Sequence, residues 1–210
     1  MKRTRAISLL LGCLLALGLL AGCGGEPSSG QQPPAEPAAP QESAGGEEPS
    51  GGGEDDALSL RSFTAGTLDG GSFTQDDIAG RDATIINFWS LTCRPCISEM
   101  PDLAAYEKAL PDNVGLITVC LDGWGNETYT QQILDQAGFE GATLISGDGD
   151  LARLCGELIY TPTTVFVDGQ GALVGDALTG RQADLFEAYT AAVNQVLEAG
   201  GKAAISVERE

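Results

Sequence analysis

The stretch Thr84–Pro101, TIINFWSLTCRPCISEMP, decides the fold. Its first part, Thr84 to Trp89, is apolar on both faces, the pattern of a central parallel strand sandwiched between helices. A short turn follows, and then a helix opens at Cys93 and Cys96. A thiol at a helix start meets unpaired backbone N–H groups and the positive end of the helix dipole. Both favour the thiolate, the nucleophilic form of cysteine. Two intervening residues let the sulfurs meet across one helical turn and cycle between dithiol and disulfide. The arrangement is that of a redox site. Cys93, nearest solvent, is the candidate attacking thiol, and Cys96, one turn further in, resolves the mixed disulfide.

The rest of the chain narrows the chemistry. Its 210 residues suffice for one ordinary domain plus appendages, and 42% hydrophobic residues allow a packed core. Lys and Arg number 11 against 30 Asp and Glu, a formal charge of −19. Phosphate binding rests on clustered Lys and Arg, so a nucleic-acid surface is excluded as an expectation. There is no histidine. Its absence removes His-based acid–base catalysis, Cys–His nucleophile pairs, haem ligation by His and mixed Cys/His zinc sites. A zinc site built on Cys93 and Cys96 would need two more ligands, and Cys120 and Cys155 form no second CxxC. No metal and no bound cofactor are expected beyond the redox-active disulfide itself.

The N-terminus bears on the compartment. Lys2, Arg3 and Arg5 precede an apolar run from Ile7 to Leu20, which fits a secretory signal over residues 1–22. Leu20-Ala21-Gly22-Cys23 resembles the lipobox of bacterial lipoproteins. That resemblance implies cleavage before Cys23, lipid on Cys23 and a membrane-anchored protein facing outside the cytoplasm; Cys13 would be discarded. Residues 23–56, rich in Gly, Pro, Ser, Glu, Gln and Ala, cannot bury enough surface to order themselves. As a flexible tether they span roughly 30 Å.

Residues 57–200 form the predicted folded domain. Leu58 to Phe73 reads as a hairpin turning at Asp69-Gly70-Gly71, and Gln75 to Gly80 as a short helical turn. Helices are expected at about Arg94–Ala109, Asn126–Ala137, Gly149–Cys155 and Gln182–Glu198, with strands at Val114–Leu121 and Ala142–Ile145. Thr163–Val167 and Ala172–Gly175 are expected to pair around Asp168-Gly169-Gln170-Gly171. In the last helix Leu185, Phe186, Tyr189, Val193, Val196 and Leu197 recur at helical spacing as core. Gly200-Gly201 stops it, and residues 201–210 are expected to be a flexible tail.

Asn87-Phe88-Trp89, Cys93-Arg94-Pro95-Cys96, Glu99 with Pro101, and the later Thr161-Pro162-Thr163-Thr164 together resemble the membrane-anchored thioredoxin-like reductases of the TlpA/ResA type. The likeness covers about residues 58–198. It implies an α/β thioredoxin-like fold: a mixed central sheet flanked by helices, with an N-terminal β-hairpin and an insert between strands. It implies thiol–disulfide exchange outside the cytoplasm, reducing disulfides in exported clients such as apocytochrome c, with a membrane electron donor to restore the dithiol. By the same resemblance Glu99 sits close to the cysteine pair and tunes its proton transfers. Thr161-Pro162 forms a cis loop facing the cysteines, exposing backbone for an extended client. Arg94 and Pro95 complete the substrate-facing residues. The family carries Trp before the first cysteine where this chain has Thr92, which alters the docking rim. Asn87 takes the strand position where thioredoxins keep a buried acid, which places more demand on Glu99.

Cys120 reads as a buried strand thiol behaving as a small apolar residue, and a Cys120–Cys155 disulfide or relay stays open. The rival reading is a non-catalytic surface lipoprotein that binds a partner or metal through this fold. Peroxide reduction calls for Pro and Thr before a Thr-x-x-Cys cysteine, and Ile86 and Ser90 stand at those places.

Overall fold

The computed structural model describes residues 58–209; the signal peptide, the lipid on Cys23 and the tether expected from the sequence all fall outside the described residues. Strand β3 (Ala83–Trp89) is buried at all seven positions. Its side chains alternate between two cores, as pleating requires. Ile85 and Trp89 join a cluster with residues of α2 (Arg94–Lys108), α3 (Glu127–Ala137) and α5 (Leu185–Ala199). Ile86 and Phe88 join the opposite cluster with Ile78 of α1 (Gln75–Ala79) and Leu151 and Leu154 of α4 (Gly149–Glu157). Helices therefore cover both faces of one sheet.

Around β3 the remaining strands are β1 (Thr64–Thr67), β2 (Ser72–Thr74), β4 (Val114–Cys120), β5 (Thr143–Gly147), β6 (Thr163–Asp168) and β7 (Leu178–Thr179). Their order in space is β2-β1-β5-β4-β3-β6-β7. β4 runs parallel to β3 with Trp89 opposite Cys120, and β6 runs antiparallel with Asn87 opposite Thr164. The sheet is mixed, and the N-terminal hairpin β1–β2 joins its edge as expected. Asp69 shapes that hairpin's turn, its Oδ1 accepting from the Gly71 N–H at 3.3 Å and from the Thr67 hydroxyl. Thr74 and Asp77 cap α1 reciprocally. Gly138, at φ 72°, ends α3 in the left-handed conformation that glycine adopts without penalty.

Three expectations need correction. Ala172–Gly175 is not the second arm of a regular hairpin. Asp168 Oδ1 accepts from the Gln170 and Ala172 N–H groups and makes the turn. The return does pair with β6 through the Val167–Leu173 bridge, with the Asp168 N–H donating to the Ala172 carbonyl at 3.0 Å and the Val174 N–H to the Phe166 carbonyl at 2.9 Å, but it is too short to make a regular strand. Ala172 also bridges to Ser59, and β7, farther on, becomes the regular edge partner of β6. Second, α5 starts at Leu185 rather than Gln182, because the Asp184 carboxylate accepts the Glu187 N–H at 3.2 Å and caps the helix there.

Third, the tail read as flexible packs back on α5. Asn194 bonds both backbone groups of Ile205, at 3.0 and 2.8 Å. Val207 is buried, and the Arg209 guanidinium lies 4.8 Å above the Phe186 ring. Ile205 and Val207, two residues apart, share one face of this extended run. Among the described residues, no helix is long and apolar enough to cross a membrane. Replacing Asn194 by Ala removes both bonds to Ile205, and is expected to lower stability by about 1–3 kcal/mol, seen as a lower urea midpoint at unchanged slope.

Candidate active site

The chain leaves β3 at Trp89 and turns through Ser90-Leu91-Thr92. Two bonds hold this turn: the Cys93 N–H donates to the Ser90 carbonyl at 3.1 Å, and the Leu91 N–H to Asp122 Oδ1 at 2.9 Å. Cys93 then caps α2, its Sγ accepting the Cys96 N–H at 3.2 Å. No acidic residue stands in the first turn of α2. The two sulfurs are joined in a disulfide, with Cα atoms 5.3 Å apart. Cys93 is half-buried and Cys96 is buried, so solvent reaches the first sulfur and not the second. Arg94 and Pro95 between them are exposed.

The Thr161–Pro162 peptide bond is cis, and Cys93 Sγ lies 3.4 Å from the Thr161 carbonyl oxygen. In the disulfide that sulfur bears no proton and the approach is a contact; a thiol at the same place can donate to the carbonyl. The Gly180 N–H donates to the Pro162 carbonyl at 2.7 Å and braces the loop from behind.

Glu99 is 2% exposed. Its Oε1 accepts from Asn87 Nδ2 at 3.3 Å, while Oε2 has no partner. Burial pushes this carboxyl up to about 7; the Asn87 amide and the Arg181 guanidinium oppose the rise. Asn87 Nδ2 also faces Thr164 Oγ1 at 2.9 Å and the Tyr189 hydroxyl at 3.3 Å, and the two hydroxyls lie 2.6 Å apart. Thr164 and Tyr189 therefore belong to the site's polar interior. Sequence reasoning took Tyr189 for core alone, since its ring recurs at helical spacing and nothing in that pattern reports the hydroxyl. Arg181 and Asp122 were also missed. Arg181 pairs with Asp102 of α2 at 3.5 Å.

Cys120 and Cys155 are both free, so the disulfide left open between them is not formed. Cys120 is buried with Sγ 3.5 Å from Asp122 Oδ1, and desolvation pushes its thiol up to about 12. Such a group stays protonated and unreactive. Among the described residues, no cluster of three His, Cys, Asp or Glu side chains is placed to hold a metal ion.

The family model described as AhpC/TSA matches residues 58–175. Among solved structures, MTB dsbF, from Mycobacterium tuberculosis and captured in mixed oxidised and reduced forms, is 23% identical with a TM-score of 0.53, covering 67% of this chain and 98% of its own. A thiol:disulfide interchange protein of the thioredoxin family from Chlorobium tepidum is 19% identical at a TM-score of 0.53, with 67% and 99% covered. The thioredoxin domain of a thiol-disulfide oxidoreductase from Bacteroides vulgatus is 20% identical at 0.52, with 66% and 98% covered. These likenesses establish the thioredoxin-like fold. No curated protein matches the sequence.

The Glu99 carboxyl is protonated more readily in the folded chain, where it titrates near 7, than at its ordinary 4.5. Between those values the folded state holds the extra proton, so stability falls as pH rises through that window. Between pH 5 and pH 8 the wild-type protein should lose about 2 kcal/mol more than Glu99→Gln, measured by urea unfolding of the oxidised forms. Parallel losses in the two proteins would show that this carboxyl does not titrate there.

Proposed function

The chain belongs to the AhpC/TSA family and is a thioredoxin-like oxidoreductase, and from that premise we propose that it reduces disulfides in exported proteins by thiol–disulfide exchange. One observation carries this reading: half-buried Cys93 caps α2 with its sulfur on the Cys96 N–H, while its disulfide partner Cys96 is sealed from solvent. In the reduced protein the same N–H and the helix N-terminus stabilise a Cys93 thiolate. That thiolate attacks one sulfur of a client disulfide. A Cys93–client mixed disulfide forms, and the client's other sulfur leaves as thiolate and takes up a proton.

Cys96 then resolves it. Its thiol gives its proton to Glu99, and the thiolate attacks Cys93 Sγ, closing the Cys93–Cys96 disulfide and expelling the second client thiol. Two electrons pass from the protein to the client. A carboxyl titrating near 7 is matched to that transfer at neutral pH. Thr161 and Pro162 hold the client chain in extended form beside Cys93, with Arg94 and Pro95 on the opposite lip. No cofactor beyond the cysteine pair enters this scheme.

The basic start, apolar run and Leu20-Ala21-Gly22-Cys23 support export, cleavage before Cys23 and lipid attachment at Cys23. On this reading residues 23–56 let the domain work near the outer face of the membrane. An oxidising compartment requires a membrane electron donor to reopen the disulfide. Clients of the apocytochrome c kind, exported with cysteines that must be reduced, suit such an enzyme.

Trapping tests the proposal. Cys96→Ser should accumulate a mixed disulfide between Cys93 and its client, identified by mass spectrometry, while Cys93→Ser should abolish insulin reduction. A binding protein without turnover would keep its partner after Cys93→Ser and trap nothing. The potential of the pair is expected below about −200 mV; a value near −120 mV, that of an oxidative folding catalyst, would overturn the reducing direction.

A further inference from the structure

Behind the disulfide lies a buried polar cluster in which hydrogens and acceptors do not match. Asn87 of β3 is fully buried, and its Nδ2 faces Thr164 Oγ1 of β6 at 2.9 Å, Glu99 Oε1 of α2 at 3.3 Å and the Tyr189 hydroxyl of α5 at 3.3 Å. An amide has two N–H hydrogens, so three acceptors compete for two. The short contact gives one hydrogen to Thr164. The other is divided between Glu99 and Tyr189, which stand equally far from the nitrogen. Turning the amide over would set Asn87 Oδ1 against a carboxylate oxygen, so an ionised Glu99 fixes this orientation.

The surroundings hold Tyr189 in that competition. Its ring stands edge-on to Tyr106 at 5.7 Å and to Phe166 at 5.6 Å. Its hydroxyl lies 2.6 Å from Thr164 Oγ1, close enough for one of the two to donate to the other. Burial first, and the Glu99 charge after it, push the ionisation of this phenol up, so it meets Asn87 as a neutral acceptor. The charged groups acting on Glu99 are Arg181, before α5, which favours the carboxylate, and Asp102, on α2 itself, which opposes it. These two pair with each other at 3.5 Å. The Gln182 N–H adds a smaller pull toward the carboxylate, and Cys96, one turn before Glu99, is held in the disulfide.

We propose that Tyr189 is a positioning residue for the resolving step: its hydroxyl draws off the second Asn87 hydrogen, and so leaves Glu99 a better acceptor for the Cys96 proton than a full bond from Asn87 would. This role rests on the exchange function proposed above and deepens it. Burial raises a carboxyl, and hydrogen bonds to its charged form bring it back down. With the second Asn87 hydrogen to itself, Glu99 would be a weaker base, poorly matched to a thiol at neutral pH. In the step itself the proton leaves Cys96 Sγ for Glu99, and the sulfur it leaves attacks Cys93 Sγ. Tyr189 exchanges no proton and acts only through Asn87.

The test removes one oxygen. Tyr189→Phe keeps the ring and its edge-on contacts. In the oxidised full chain, the Glu99 carboxyl carbon followed by NMR should then titrate about one pH unit lower than in the wild type, the effect of completing a hydrogen bond to a buried charge. Thr164→Val, of nearly the same shape, frees the other Asn87 hydrogen and should shift Glu99 the same way; it decides the matter where Tyr189→Phe does not fold. The reduced chain is also mixed with a nitrobenzoate disulfide, whose first coloured thiolate is released by Cys93 and whose second is released by Cys96. The rising limb of the second release should move down by about one pH unit in Tyr189→Phe. Added to Glu99→Gln, the same change should leave the profile where Glu99→Gln alone puts it. A Glu99 midpoint that stays put or rises overturns this inference, and normal release of both thiolates then leaves the exchange function standing. An equal shift of the profile in the Glu99→Gln background makes Tyr189 merely structural and also overturns it. A wild-type chain that releases no second thiolate overturns the exchange function, and this role with it.

Discussion

A single hydrogen bond, from the Cys96 N–H to Cys93 Sγ, ties the chemistry of this protein to its fold. It exists because α2 begins at Cys93, and α2 begins there because β3 ends at Trp89 and the intervening turn is pinned by Ser90 and Asp122. Helix starts leave N–H groups without partners. Here one of them is spent on sulfur rather than on a hydroxyl or carboxylate, the usual caps. The core beneath supplies rigidity: Trp89, Cys96, Met100 and Leu103 are all buried in one cluster. Moving the helix start by one residue would rotate both cysteines by a third of a turn and break the arrangement.

Behind the sulfurs the same strand contributes an amide instead of an acid. Asn87 is fully buried, and its Nδ2 reaches toward Glu99, Thr164 and Tyr189. An amide group has only two hydrogens for these three neighbours. Glu99 Oε2 and Asn87 Oδ1 are left without partners. A buried carboxylate in such surroundings is costly, and the carboxyl responds by keeping its proton nearer to neutrality. The strand thereby hands the acid's position to the helix, one turn deeper than Cys96, and the desolvation of that helix position sets its titration.

Much of this was legible in the residues. The apolar and aromatic run of β3, broken only by Thr84 and Asn87, pointed to a strand buried on both faces, the pattern of a central strand covered by helices. The CxxC at a helix start and the distant Thr-Pro-Thr located the two halves of the site by resemblance. What stayed hidden depends on pairs far apart in sequence. Asn87 meets Thr164 because β3 and β6 are in register there, and Tyr189 joins them from α5. The start of α5 was misplaced since Gln182 and Ala183 are acceptable helix formers, and only the cap at Asp184 excludes them. The tail was misread because two apolar residues, Ile205 and Val207, are too few to register as a periodic pattern.

That packed tail has a practical side. Asp102, on the outer face of the helix that presents the cysteines, receives Arg209 at 3.4 Å as well as Arg181 at 3.5 Å. Each exposed ion pair is weak by itself. Arg209, though, also covers Phe186, which stacks edge-on with Tyr106 of α2 at 5.0 Å. The last turn of chain is thus mechanically continuous with the redox helix. A purification handle or surface-immobilisation linker appended at the carboxyl end would therefore pull on α2, the helix that carries Cys93 and Cys96.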